Sequence, residues 1–164
     1  CDWSSDVCSS DLLRQKDSNG NVILKKTDLD LSDVDAIKIN PEEGQNIVSG
    51  SHDEMMLALQ KKGIEYVLLT NKVDVSLLVK NRVYSLRLPN KTTHDTTGIG
   101  DIFCSTFTCT MLKEKDFLWA LCFAAGSAQA ALESNNVGLQ KIPKKGMVEN
   151  NASYFYNLVD FRDL

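Results

Sequence analysis

Between positions 95 and 101 the chain reads Asp95-Thr96-Thr97-Gly98-Ile99-Gly100-Asp101, and an apolar stretch from Ile102 to Leu112 follows directly. Two glycines let a backbone approach a ligand closely, and a helix starting there points its first unpaired amides at the same spot. The main chain of Gly98, Ile99 and Gly100, with Thr97 at its rim, is therefore a candidate anion cradle. Asp101 falls in the first turn of that helix. There the helix dipole favours its carboxylate, which lies beside a bound phosphate and can take a proton. Charge stabilisation and positioning, with one base, are what phosphoryl transfer asks of a protein. A glycine turn with an acidic cap also precedes many ordinary helices, so on these residues alone both readings stand.

A second constellation is Asn40-Pro41-Glu42-Glu43. It offers an N-cap, a proline at the first helical position and a capping-box glutamate, and Ser51-His52-Asp53-Glu54 repeats the pattern. His52 belongs to that capping turn, and His94 precedes the glycine loop as a solvent-facing residue. Trp119, Phe123, Tyr154 and Phe155 recur at helical spacing and read as core. Cys104, Cys109 and Cys122 sit singly in apolar helical sequence, the ordinary setting of a buried, reduced thiol.

The elements that must position these residues alternate strand and helix. Asp17-Ser18-Asn19-Gly20 is a turn leading into the β-branched run Asn21–Lys26, which predicts a hairpin. Ala36–Ile39 reads as a short buried strand followed by a brief helix, and Ser51 starts a second helix that Lys61-Lys62-Gly63 ends. Tyr66–Thr70 is a continuous apolar strand of the parallel-sheet kind, while Val75–Val79 and Arg82–Leu88 form a hairpin through Lys80-Asn81. Ile102–Leu112 is apolar all round and should be a buried helix, packed beside a second over Phe117–Glu133. A surface helix is expected in Met147–Leu158, after Pro143. The order is that of an α/β three-layer protein.

Of 164 residues, 43% are apolar and 24% charged, enough for one domain with a proper core. A formal charge of -4, from 18 basic and 22 acidic residues, argues against a nucleic-acid partner. The Lys61-Lys62 and Lys144-Lys145 pairs read as solvated helix ends. The stretch Phe117–Leu132 is interrupted by Gly126, Ser127 and Gln129, which argues against a membrane span. With its single thiols, the chain is expected to be cytoplasmic. Cys1–Leu12 has no initiator Met and neither helical nor strand periodicity; it resembles the translation of a sequencing adapter joined to a truncated gene. Residues 1–12 are accordingly expected to be a non-native leader.

With its flanks, the heptapeptide resembles the C-terminal signature of the ribokinase (PfkB) family of carbohydrate kinases, Asp-Thr-Thr-Gly-Ala-Gly-Asp followed by an aromatic and a small-residue helix. Ile99 stands where alanine is usual, and Phe103 holds the aromatic position. The resemblance implies a ribokinase-like three-layer sandwich with a mainly parallel central sheet, truncated at the N-terminus. Residues 13–164 would be its C-terminal nucleotide-binding and catalytic part. It implies transfer of the γ-phosphate of ATP to an alcohol of a sugar, nucleoside or polyol, with Asp101 as general base and the Gly98–Gly100 amides as the hole for the γ-phosphate. Asn40-Pro41-Glu42-Glu43 resembles the family's Asn-x-x-Glu motif, in which Asn40 and Glu43 would organise hydrated Mg²⁺ and phosphates.

The family's Thr-x-Gly-x-x-Gly segment, which helps hold the nucleotide, falls at Thr70, but both glycines are lost in Thr70-Asn71-Lys72-Val73-Asp74-Val75. The adenine pocket of relatives implies that Asn135, Asn136 and Gly138 border the nucleotide. Asp95 and the turn Asn135–Gln140 resemble the region that holds a monovalent cation in some members; plain loop and helix caps explain the same residues. The family's substrate-binding half has no counterpart in this sequence, so the chain alone is expected to be inactive. A vitamin-precursor kinase of the same fold and a non-catalytic nucleotide-binding or regulatory relative are the alternatives.

Overall fold

The structure, a computed structural model, describes residues 6–8, 14–24, 30–89, 96–134 and 136–164. It forms two compact units. The first draws on the described residues up to Asn71, on Ser76–Val83 and on Arg162–Leu164; the second comprises Lys72–Val75 and Tyr84–Phe161.

In the first unit, β1 (Asp6–Cys8), β4 (Ala36–Ile39) and β5 (Tyr66–Asn71) pair in parallel, with Val7 opposite Ile37 and Ile37 opposite Val67. All four β4 residues are buried, as a short unbroken strand in a parallel sheet requires. The hairpin of β2 (Arg14–Lys16) and β3 (Val22–Leu24) is antiparallel, as its turn sequence predicts. Asp17 Oδ1 accepts the Asn19 and Asn21 amides at 2.8 Å each, and Gly20 takes φ +84°.

Two capping boxes set the helices α1 (Pro41–Ile47) and α2 (His52–Lys61). The second ends where Gly63 adopts φ +106°. Met56, Leu59, Ile64, Val67 and Leu69 join Ile37 and Ile39 in one apolar core, each such side chain adding about 1.5–3 kcal/mol by leaving water.

The sheet continues through β6 (Asp74–Val79), β7 (Arg82–Arg87) and β8 (Asp160–Asp163), in the order β1-β4-β5-β6-β7-β8. Lys80 and Asn81 have φ +48° and +63°, the left-handed pair that a two-residue hairpin loop needs. Turns this short join only antiparallel neighbours, and Leu164 opposite Asn81 with Asp163 opposite Arg82 runs β8 against β7, so parallel pairing is found at β1, β4 and β5 and the sheet is mixed rather than mainly parallel. β8 is exposed at all four residues and is fixed by charge: Arg82 Nε meets Asp163 Oδ1 at 2.6 Å, and Arg162 meets Asp53 Oδ1 at the same distance.

Strand β1 falls within residues 1–12, which show no strand periodicity. Pairing at a sheet edge uses only main-chain groups, so a segment without strand periodicity can supply it.

The helices of the second unit are α3 (Ile99–Glu114), α4 (Phe117–Leu132) and α5 (Lys145–Tyr156), with a 3₁₀ turn at Gly138–Lys141. Asp116 caps α4, its Oδ1 accepting from the Leu118 and Trp119 amides at 2.9 and 3.0 Å. α4 packs against both α3 and α5, which is why it is apolar on every side. At Gly126 the fit to α5 is close enough that a Cβ would meet Val148 O at 2.8 Å and the Ala152 nitrogen at 2.9 Å.

α3 is one-sided, contrary to expectation. Phe103, Cys104, Phe107 and Met111 are buried, but Ser105, Cys109 and Leu112 face solvent, because one face alone meets α4. Cys109 is thus an exposed thiol, while Cys104 and Cys122 are buried as expected. Burial, and to a lesser degree the Asp116 charge, pushes the Cys122 thiol up to about 12. The aromatics divide as well: Phe155 is core, Trp119 and Phe123 are half-buried, and Tyr154 is 59% exposed.

Candidate functional site

In the second unit the glycine loop runs straight into α3. Gly98 is the N-cap residue at φ +78°, a left-handed conformation that costs a glycine little. The Ile99 amide reaches Thr96 O at 3.3 Å, and Ile102 N closes the first helical bond to Gly98 O at 2.9 Å. No side chain caps this end. An uncapped first turn, approached through glycines, is a ready anion site.

Asp101 lies in this turn and is exposed; among the described residues nothing holds its carboxylate by hydrogen bond or ion pair. Its main-chain carbonyl accepts Ser105 Oγ at 2.6 Å, which ties the turn down without engaging the carboxylate. Thr97 points its carbonyl at Lys141, whose Nζ donates to it at 3.3 Å. Lys141 is only 3% exposed and ends the 3₁₀ turn that Gly138 opens at φ +60°.

The structure thus connects Gly138 to the glycine loop, through Lys141. Sequence reasoning missed this lysine, since Gly138-Leu139-Gln140-Lys141 has no pattern marking one residue as buried. Asn136 braces the same turn, its Nδ2 donating to Gln140 O at 3.2 Å. Asp95, His94 and Asn135 lie outside the described residues.

One turn further along α3, a cleft of about 300 Å³ is lined by Ile102, Ser105, Thr106, Phe123, Ser127 and Pro143 among others. A neighbouring cavity of about 390 Å³ shares Ser105, Thr106 and Phe123 and continues to Cys109 and Trp119. Such volumes suit a small organic ligand. The lining comes from α3, α4, α5 and the segment before α5 rather than from Asn136 or Gly138.

In the first unit, Asn40 and Glu43 close the capping box in both directions: Glu43 N donates to Asn40 Oδ1 at 2.8 Å, and Asn40 N to Glu43 Oε2 at 3.0 Å. Glu43 is 2% exposed, and the same Oε2 stands 3.9 Å from the Nζ of buried Lys38. Lys38 is a second residue that sequence reading passed over, although a lysine inside Ala36-Ile37-Lys38-Ile39 was a visible anomaly. Thr70 Oγ1 donates to Ile39 O at 3.5 Å, so Thr70, Lys38, Asn40 and Glu43 gather at the carboxyl ends of β4 and β5, where parallel sheets commonly bind ligands.

Among the described residues no cluster of three or more His, Cys, Asp or Glu could cage a bare ion. Glu43 is bound into the box and stands beside Lys38, so a role of this residue toward Mg²⁺ would run through water. After Thr70, Lys72 takes φ +54° at the place of the missing first glycine, and Val75 is buried in β6 at the place of the second.

Comparison with known proteins bears on the fold and the family. The chain resembles a pyrophosphate-dependent myo-inositol-1 kinase converted into a myo-inositol-3 kinase, with a TM-score of 0.72 at 15% identity over 91% of this chain and 53% of that one. The ribokinase of Thermotoga maritima gives 0.66 at 18% identity, over 75% and 43% of the respective chains. The Arabidopsis thaliana ribokinase complexed with ribose and ATP gives 0.61 at 20%, over 74% and 42%. The chain therefore spans about half the length of the solved structures it resembles. No curated protein sequence matches it. The fold is the ribokinase-like α/β fold. Residues 10–145, most of the chain and both motif regions, match the pfkB family of carbohydrate kinases, and to that family the chain belongs.

Proposed function

We propose that the protein containing this chain is an ATP-dependent phosphotransferase that phosphorylates an alcohol group of a sugar, or of a related nucleoside or polyol. The observation that carries this reading is the uncapped start of α3, with an unengaged Asp101 in its first turn. Amides of Gly98 and Gly100 hold the γ-phosphate, joined by that of Ile99 once it leaves its 3.3 Å bond to Thr96 O, and their dipoles oppose the charge that builds during transfer. Asp101 accepts the proton of the acceptor hydroxyl. The cleft beside Ile102, Ser105 and Phe123 takes the nucleoside end of the donor. Within the first unit, Asn40 and Glu43 are the residues that would hold the water shell of a Mg²⁺, whose charge would offset that of donor phosphates. The similarity to a ribokinase complexed with ribose and ATP supports both the donor and the acceptor class.

A second reading of the donor is inorganic pyrophosphate. The loss of both glycines after Thr70 favours it, because a donor without adenine has less need of that loop, and pyrophosphate-dependent kinases of the ribokinase family are among the similar structures.

The test is acceptor-dependent phosphate-ester formation by the full-length protein, over a panel of sugars, polyols and nucleosides, with Mg·ATP and with Mg·pyrophosphate. An ester formed only from pyrophosphate selects the second reading. Tight nucleotide binding without any ester would make the protein a non-catalytic relative. No membrane role enters the proposal, and no helix among the described residues is long and apolar enough to cross one.

A further inference from the structure

Lys141 is the one feature of the glycine loop that the reading above leaves unused. Its side chain comes from the 3₁₀ turn, is almost wholly enclosed, and ends on the Thr97 carbonyl at 3.3 Å. A lysine is seldom buried to this degree, and taking its ammonium out of water is costly unless the protein uses the charge or pairs it. One of the contacts that hold this ammonium is the peptide that leads into the anion loop.

That position has a geometric consequence. In a trans peptide the carbonyl and the following amide point in opposite directions. An ammonium that holds Thr97 O on one side therefore turns the Gly98 N–H to the other. Gly98 is the left-handed N-cap of α3, where a glycine's freedom would otherwise let this peptide rotate. Lys141 both fixes the amide and places a positive charge behind the loop that is to face phosphate.

We propose that Lys141 is a positioning residue for the anion loop and a tethered substitute for a monovalent cation, so that donor binding in this protein is independent of K⁺. The proposal rests on the reading of Gly98–Gly100 as the phosphate hole. The residues fit a mobile cation poorly, because an ion seated on the Thr97 carbonyl would lie against a buried ammonium, and like charges in a low dielectric repel strongly. Lysine suits the role through its compact, strongly hydrated point charge on a long stem.

The experiment uses the full-length protein, wild type and Lys141→Met, which keeps an unbranched apolar stem and removes the charge. Mg·ATP and Mg·pyrophosphate are titrated calorimetrically in K⁺ and in tetramethylammonium at equal ionic strength. Wild type should bind its donor equally in both. Lys141→Met should bind about tenfold more weakly in tetramethylammonium, as for loss of one hydrogen bond to a charged group, and recover in K⁺ or ammonium. A purely structural lysine would leave a variant that small cations do not rescue, and that result would overturn the proposal, as would K⁺-dependent binding by wild type.

Thallium-205 NMR without nucleotide reads the cation seat directly, and Lys141→Ala serves should the methionine variant fold poorly. A seat closed in wild type and open in the variant supports the inference. If thallium binds wild type, the inference falls while the phosphate-hole reading stands. If wild type binds neither donor yet the thallium pattern holds, the phosphate-hole reading fails and the tethered cation remains.

Discussion

The N-termini of α1 and α3 face the same problem and answer it in opposite ways. Each helix begins with amides that have no partner inside it. At α1 the chain supplies an answer itself: Asn40 and Glu43 bond each other's main chain, and Glu43 is buried beside Lys38. At α3 a glycine, with no side chain to offer, stands where the cap should be. The motif that satisfies itself is worth most to stability, whereas the one left open has amides to give a ligand. Two sequence motifs of comparable specificity thus carry different loads, and capping geometry tells them apart.

The largest effect should come from the open end. On the kinase reading proposed above, Asp101→Asn in the full-length protein should leave folding and donor affinity nearly intact while lowering turnover by roughly 10²–10⁴, the contribution of a positioned general base. Calorimetry for Kd and a coupled assay for kcat separate the two; normal turnover would reduce Asp101 to a helix cap. Next, Glu43→Ala should cost about 3 kcal/mol of stability in denaturant melts, because it opens the box and strips the buried Lys38 ammonium of its carboxylate. A loss below about 0.5 kcal/mol, the scatter of ordinary surface changes, would mean that the α1 box is not the stabilising one.

Gly98→Ala should be milder, about 1–2 kcal/mol for forcing a Cβ to φ +78°, since nothing lies within 4 Å of the added atom. Equal stability with weakened donor binding would move its role from strain to ligand approach. The smallest effect belongs to Ser51→Ala, about 1 kcal/mol, at the exposed box of α2. Main-chain and side-chain hydrogen bonds from Ser51 hold the Glu54 carboxyl below its usual value. Its contribution is thus present above the ordinary glutamate range and is lost as pH falls through the lowered value. Melts of Ser51→Ala should lose less stability on acidification than wild type, and an unchanged acid slope would contradict that.

What the sequence made legible was local. Ser51 with Glu54, Asn40 with Glu43, the Lys80-Asn81 loop and the Gly98–Asp101 turn each declare themselves within a few residues, because caps and tight turns are made by near neighbours. β8 was not legible: Asp160-Phe161-Arg162-Asp163 has no apolar alternation, and its partners Arg82 and Asp53 are distant in sequence. Lys141 escaped for the same reason, its contact with Thr97 being set by tertiary placement. The apolar look of α3 misled because small residues such as Ser105 and Cys109 sit as readily in water as in a core. At Lys72, loss of glycine suggested a changed loop, yet the residue takes φ +54°, a conformation that a glycine adopts freely.

The closeness of α4 and α5 at Gly126 has a mechanical side. A helix pair slides when its contact is a smooth row of side chains that can trade neighbours. Here bare backbone is keyed into a notch, Asn151 Nδ2 grips Gly126 O at 3.2 Å, and a shift of one residue would drive a side chain into Val148 O or Ala152 N. The two helices are therefore keyed together and resist shear at this contact.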